Sequence, residues 1–163
     1  MAARGPRGEA VRLYSEGIAH SQEGRLSEAI TCYTAAASED PIWSLPLLNW
    51  GVALLQRGDA KIAVEVFERG LPLASDKAEQ ATFLSNMGQA HYKAGNLEKA
   101  LKSYRLSLEK REAATTWVEI ALVWHDLGQN DKAVDYLRRY LAAPAETLYP
   151  TAQIRALLKS YGG

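Results

Sequence analysis

The chain has 163 residues, 47% of them apolar, with only 12 glycines and 6 prolines, so it suits one compact domain or one short repeat array and is too apolar for disorder. Nineteen Lys and Arg oppose 19 Asp and Glu, a formal net charge of zero. That balance argues against nucleic acid or an anionic membrane as partner, because either needs a basic stripe to replace counterions on phosphates.

One cysteine, Cys32, leaves no internal disulfide framework and no Cys-based zinc site. The N-terminal MAARGPRGEAVRL has no apolar targeting core, and no run approaches the roughly 18 apolar residues of a membrane span. The expectation is an intracellular, reduced and soluble protein, cytoplasmic in a bacterial source, with no direct membrane insertion.

In chain order, residues 1–8 read as a flexible N-terminus, followed by four copies of one helical pattern. They are EGIAHSQEGRLSEAITCY, WGVALLQRGDAKIAVEVF, MGQAHYKAGNLEKALKSY and IALVWHDLGQNDKAVDYL, beginning at Glu16, Trp50, Met87 and Ile120. Each has a small residue inside its first helix: Gly17, Gly51, Gly88, Ala121. These lie 34, 37 and 33 residues apart, and the stopping glycines Gly24, Gly58, Gly95 and Gly128 keep the same intervals. Five residues past each stop comes an alanine (Ala29, Ala63, Ala100, Ala133), and four further on a ring or leucine (Tyr33, Phe67, Tyr104, Leu137). Glycine inside a helix costs about 1 kcal/mol relative to alanine. A fixed register of such glycines predicts that two backbones approach closely there and that the large residue fills the remaining gap. The stopping glycines suit the left-handed position that ends a helix.

The pattern resembles the tetratricopeptide repeat (TPR) family, whose 34-residue helix–turn–helix unit reads W-x2-L-G-x2-Y, then A-x3-F, then P. Pro41 stands where the first unit wants its proline, and Trp117 where the fourth wants its tryptophan. The resemblance implies an all-α, right-handed solenoid with repeats near 10–43, 44–80, 81–113 and 114–147, and a C-terminal capping helix over 148–163. Each repeat supplies a helix A to the inner, concave face and a helix B to the outer one.

Several departures carry expectations of their own. Three extra residues fall near LPLASDKAEQ, where Pro72 should end the second helix B early. Pro46 falls in the first turn of a helix, where proline is tolerated. Glu112 replaces the proline of the third repeat, so nothing forces a break, yet the register asks for a turn at 110–114. Tyr140 takes the place of Ala36, Gly70 and Ser107, as a bulky residue can in a terminal repeat. TLYPTAQIRALLKSYGG puts Pro150 in a first turn and Ile154, Leu157, Leu158 and Tyr161 on one helical face. Solenoids need such an atypical, outwardly polar end.

No reading of the residues supports catalysis or a cofactor. His20 and His91 share a repeat place where the pattern has a packed tyrosine. His125 beside Asp126 lacks a second ligand or a nucleophile, and Cys32 reads as a structural thiol. No glycine-rich phosphate loop, HExxH or GxSxG is present. Glu65–Arg69, Glu98–Lys102 and Asp135–Arg139 are i,i+4 pairs suited to a solvated outer face.

The resemblance places binding on helix A. The candidate groove is Leu48, Asn49, Val52, Gln56, Asn86, Gln89, Lys93, Val118, Glu119, Leu122 and Asp126, an apolar stripe with little charge. One TPR subclass grips the acidic tails of chaperones with lysines, an arginine and asparagines. Those places hold Tyr14, Ile18, Asn49, Thr82 and Asn86 in one register, or Leu48, Val52, Asn86, Thr115 and Glu119 in the other. Only asparagines remain, so a carboxylate clamp is not implied. Asn49 and Asn86 share one place in successive repeats, where an amide can donate to and accept from a peptide backbone. The expected function is an interaction module, an adaptor, scaffold or co-chaperone-like domain, holding a linear peptide or helix of another protein. The alternative is a self-associating scaffold forming homo-oligomers.

Overall fold

The computed structural model describes residues 7–143 and 149–163. Residues 1–6 of the expected flexible N-terminus, and the junction 144–148 ahead of the expected cap, lie outside the described residues. Nine α-helices occur among the described residues: α1 Gly8–Gln22, α2 Leu26–Glu39, α3 Ser44–Arg57, α4 Ala60–Gly70, α5 Lys77–Lys93, α6 Leu97–Lys110, α7 Ala114–Asp126, α8 Asn130–Ala142 and α9 Thr151–Tyr161. The first eight form four helix–turn–helix pairs, each packed on the next, and α9 lies against α8.

The repeating glycines explain the pairing. A Cβ built on Gly17 would sit 2.6 Å from the ring of Tyr33, and one on Gly88 would sit 2.7 Å from the ring of Tyr104. Gly51 faces Phe67 in the same way. Each ring is at most 2% exposed, so the helices touch through glycine on one side and an aromatic ring on the other. In the fourth pair Ala121 meets the smaller Leu137, both fully buried. The stopping glycine does a separate job. Gly58 ends α3 at φ 101°, and the Asp59 N–H behind it returns to the Leu54 carbonyl at 2.9 Å, which satisfies an otherwise orphaned carbonyl.

The extra residues of the second repeat form a 3-10 turn, Leu71–Leu73, after α4 ends at Gly70. Pro72 cannot continue the helix ladder. The next helix then starts early. Asp76 accepts the Glu79 N–H at 2.8 Å, while the Glu79 carboxylate accepts the Ser75 N–H and hydroxyl at 2.7 Å each. This reciprocal cap sets the start of α5 at Lys77, ahead of the boundary expected at 81. The turn expected near 110–114 is present at 111–113. Pro150 is corrected by one place: it directly precedes α9 rather than sitting in its first turn.

The core divides by repeat into four apolar clusters along the stack, centred on Tyr33, Phe67, Tyr104 and Leu137. Every repeat buries its face against its neighbours alone, as a solenoid must. The three i,i+4 pairs expected on the outer helices do not form ion pairs. Arg69 lies 5.5 Å from the Trp50 ring centroid and Arg139 lies 5.2 Å from that of Tyr136. An exposed ion pair gains little in water, and a guanidinium stacks readily on an aromatic face.

Candidate functional site

The inner face is built from α1, α3, α5 and α7, whose side chains repeat every turn along one stripe. Leu48, Val52, Gln89 and Leu122 are half-buried, and Gln56 and Lys93 are exposed. Leu48 and Val52 also pack against the second repeat's core, so their outer edges alone are open.

The asparagines differ. Asn49 Nδ2 donates to the Tyr14 hydroxyl at 2.9 Å, joining α3 to α1. Asn86 Nδ2 donates to the Thr82 carbonyl at 3.0 Å within its own helix. Each amide keeps its oxygen and a second N–H for a ligand.

The fourth repeat departs from the expected groove. Val118 is only 1% exposed and shares a core cluster with Ile154 and Tyr161 of α9, so it does not line an open surface. The cause is α9, whose Ile154 and Tyr161 join that cluster, and Tyr149 lies beside it. The Tyr149 hydroxyl donates to Glu119 at 2.6 Å, and Tyr104 donates to the same carboxylate at 3.2 Å. Tyr149 is itself held by Tyr140, whose hydroxyl donates to the Tyr149 carbonyl and accepts its N–H, both at 3.0 Å. Asp126 accepts the Tyr92 hydroxyl at 2.7 Å. Burial, reinforced by Asp126, pushes the Tyr92 phenol up to about 12. Burial and then Glu119 push Tyr104 and Tyr149 upward as well. All three therefore remain donors at neutral pH, and both groove acids are already engaged by the chain itself. Tyr149 and Tyr92 carry no groove signal in the sequence; their roles follow from where the C-terminal segment docks.

Two adjoining cavities open at the N-terminal ends of the inner helices. One, of about 200 Å3, is lined by residues including Ser85, Asn86, Arg111, Thr115 and Thr116. The other, of about 450 Å3, lies between Trp43, Leu45, Glu79 and Arg111. Arg111 and Thr82 border both.

The remaining chemistry-bearing residues do not converge. His91 is 8% exposed, and its Nδ1 is buried without a partner, as is that of His20. Burial, then Lys99, lowers the His91 pKa. His125 stacks on Tyr161 with ring centroids 3.8 Å apart and faces Asn130 through Nδ1 at 2.8 Å. Burial raises the Cys32 thiol, which disfavours the reactive thiolate. No group of three metal-ligating side chains occurs among the described residues, and no described helix is long and apolar enough to cross a membrane.

Two family models, each for the tetratricopeptide repeat, match residues 44–113 and 85–147. No curated protein matches the sequence. A chain of the APC/C hetero-tetramer Cut9–Hcn1 is similar at TM-score 0.82 and 23% identity, over 96% of this chain and 30% of that one. MamA 41-end from Desulfovibrio magneticus RS-1 is similar at TM-score 0.74 and 19% identity, over 82% and 74% of the two chains. The first TPR of Spaghetti (RPAP3), bound to the HSP90 peptide SRMEEVD, is similar at TM-score 0.68 and 23% identity, over 74% and 94%. At these identities the likeness is one of fold. The chain spans less than a third of the Cut9–Hcn1 chain that it matches.

Proposed function

The chain belongs to the tetratricopeptide repeat family, and from that premise we propose that it is a protein–protein interaction module holding an extended segment of a partner along the inner face of α1, α3, α5 and the start of α7. The observation that carries this reading is the contrast along that face. In the fourth repeat Val118, Glu119 and Asp126 are covered or hydrogen-bonded by the chain's own tyrosines. In the second and third repeats Asn86, Gln89 and the edges of Leu48 and Val52 remain accessible, beside two open cavities. Asn86 and Gln89 pair the partner's backbone, and the aliphatic edges bury its side chains. The RPAP3 domain, of the same fold, is bound to a short peptide, which supports a linear ligand.

Partner capture from the native source tests the reading through paired variants. Each amide–backbone bond contributes about 0.5–1.5 kcal/mol, so Asn86→Ala with Gln89→Ala lowers affinity roughly tenfold. Lys102→Ala, on the outer face, changes nothing. Equal affinity for both variants would place the site elsewhere.

A further inference from the structure

Asn49, Asn86 and Glu119 occupy one repeat place, at the same intervals of 37 and 33 residues that separate Gly51, Gly88 and Ala121. Two of the three hold a phenol of the chain itself. Asn49 Nδ2 donates to the Tyr14 hydroxyl at 2.9 Å. Glu119 accepts from Tyr149 at 2.6 Å and from Tyr104 at 3.2 Å. An amide donates and a carboxylate accepts, and a phenol answers either. What the place receives is the same in both repeats: a tyrosine hydroxyl.

Asn86 is the exception. Its one side-chain hydrogen bond among the described residues runs to the Thr82 carbonyl, within its own helix. The repeat explains why no phenol of the chain reaches it. Leu48 stands in the second repeat where Tyr14 stands in the first, and Phe67 stands in the second where Tyr104 stands in the third. Neither carries a hydroxyl, and Tyr149 is engaged by Glu119. A cavity of about 200 Å3 opens beside Asn86 instead, with Ala81, Ala113 and Thr115 in its lining. A cavity of about 150 Å3 holds a benzene ring, so one aromatic side chain fits.

We infer that this cavity takes a tyrosine side chain of the bound segment, the partner supplying at Asn86 the phenol that the chain supplies at Asn49 and Glu119. The inference rests on the groove reading and names what the third repeat recognises there. The second Nδ2 hydrogen of Asn86 donates to the phenol oxygen, as Asn49 does to Tyr14, and the amide oxygen is left for the partner's backbone. Arg111 also borders the cavity. Its guanidinium packs on the ring face, as that of Arg139 lies 5.2 Å from the Tyr136 ring centroid.

Two synthetic peptides supply the test: acetyl-Ser-Ser-Tyr-Ser-Ser-amide, and the same peptide with phenylalanine in place of tyrosine. Each is titrated into the 15N-labelled chain. The tyrosine peptide is expected to shift the Asn86 side-chain amide and the backbone amides of Ser85 and Thr115 saturably. The phenylalanine peptide binds roughly fivefold more weakly, the worth of one neutral hydrogen bond. Asn86→Ala removes that preference, and Lys102→Ala, on the outer face, preserves it. Equal affinities for the two peptides, a preference that survives Asn86→Ala, or no saturable binding would overturn the inference. Such a failure leaves partner capture by the inner face standing. Capture indifferent to the inner-face variants would instead leave a tyrosine-selective site standing.

Discussion

At the scale of single residues, the fold rests on pairs sixteen positions apart. Gly51 lies under Phe67 so closely that a methyl group there enters the ring. Overpacking a buried site costs about 1–3 kcal/mol, and the gain in helix propensity from Gly to Ala returns about 1. Gly51→Ala is therefore expected to lower stability by about 1 kcal/mol, a fall of roughly 2–4 °C in Tm. The repeat supplies its own control, since Ala121 already coexists with Leu137. In a Phe67→Leu background the same Gly51→Ala change costs less, by about 1 kcal/mol of coupling. Equal costs in both backgrounds, measured by urea unfolding, would refute the pairing.

His91 sets a pH dependence. Burial first, and Lys99 second, lower its folded pKa, with Glu68 opposing. Above about pH 6.5 the imidazole is neutral in folded and unfolded chains alike. As the pH falls below that value the unfolded chain binds the proton more readily, so stability present at neutral pH is lost on acidification. The Tm falls between pH 7.5 and 5.5, and His91→Tyr, the residue that the family pattern has there, flattens that slope. An identical slope in the variant would assign the dependence to other groups.

At the scale of elements, α9 closes the stack. Ile154 is fully buried and Tyr161 is 9% exposed, in one cluster with Leu137 and Tyr140. Deleting Thr151–Gly163 exposes that cluster, and an apolar face of this kind invites association. Light scattering should show oligomers and calorimetry a lower Tm; a monomer with unchanged Tm would deny the cap. The face of α9 was legible in the spacing of Ile154, Leu157, Leu158 and Tyr161, because helical periodicity is local. The place of Tyr149 was not. Tyr149 reaches Glu119 across thirty residues, and no local pattern encodes that contact. The same limit explains Val118, whose place in the repeat marks it as inner-face and whose burial depends on what returns over it. The early start of α5 was readable in principle, since Asp76 and Glu79 have capping-box spacing.

At the scale of the molecule, the repeat made the fold legible: four small residues, four stops and four large residues held one register. The groove was legible only as a face. Which part of that face is open depends on side chains from other helices: Val118 is covered in the fourth repeat, whereas Asn86 and Gln89 of α5 stay accessible. Zero net charge leaves little long-range steering, so partner affinity should vary only modestly with salt.

Site-specific photo-crosslinking in the native source tests the groove most directly. A photoreactive side chain at Gln89, on the inner face, should capture a discrete heterologous protein, and one at Lys102, on the outer face, should not. Adducts formed equally from Lys102, or only with a second copy of this chain from either position, would contradict the groove as the binding surface.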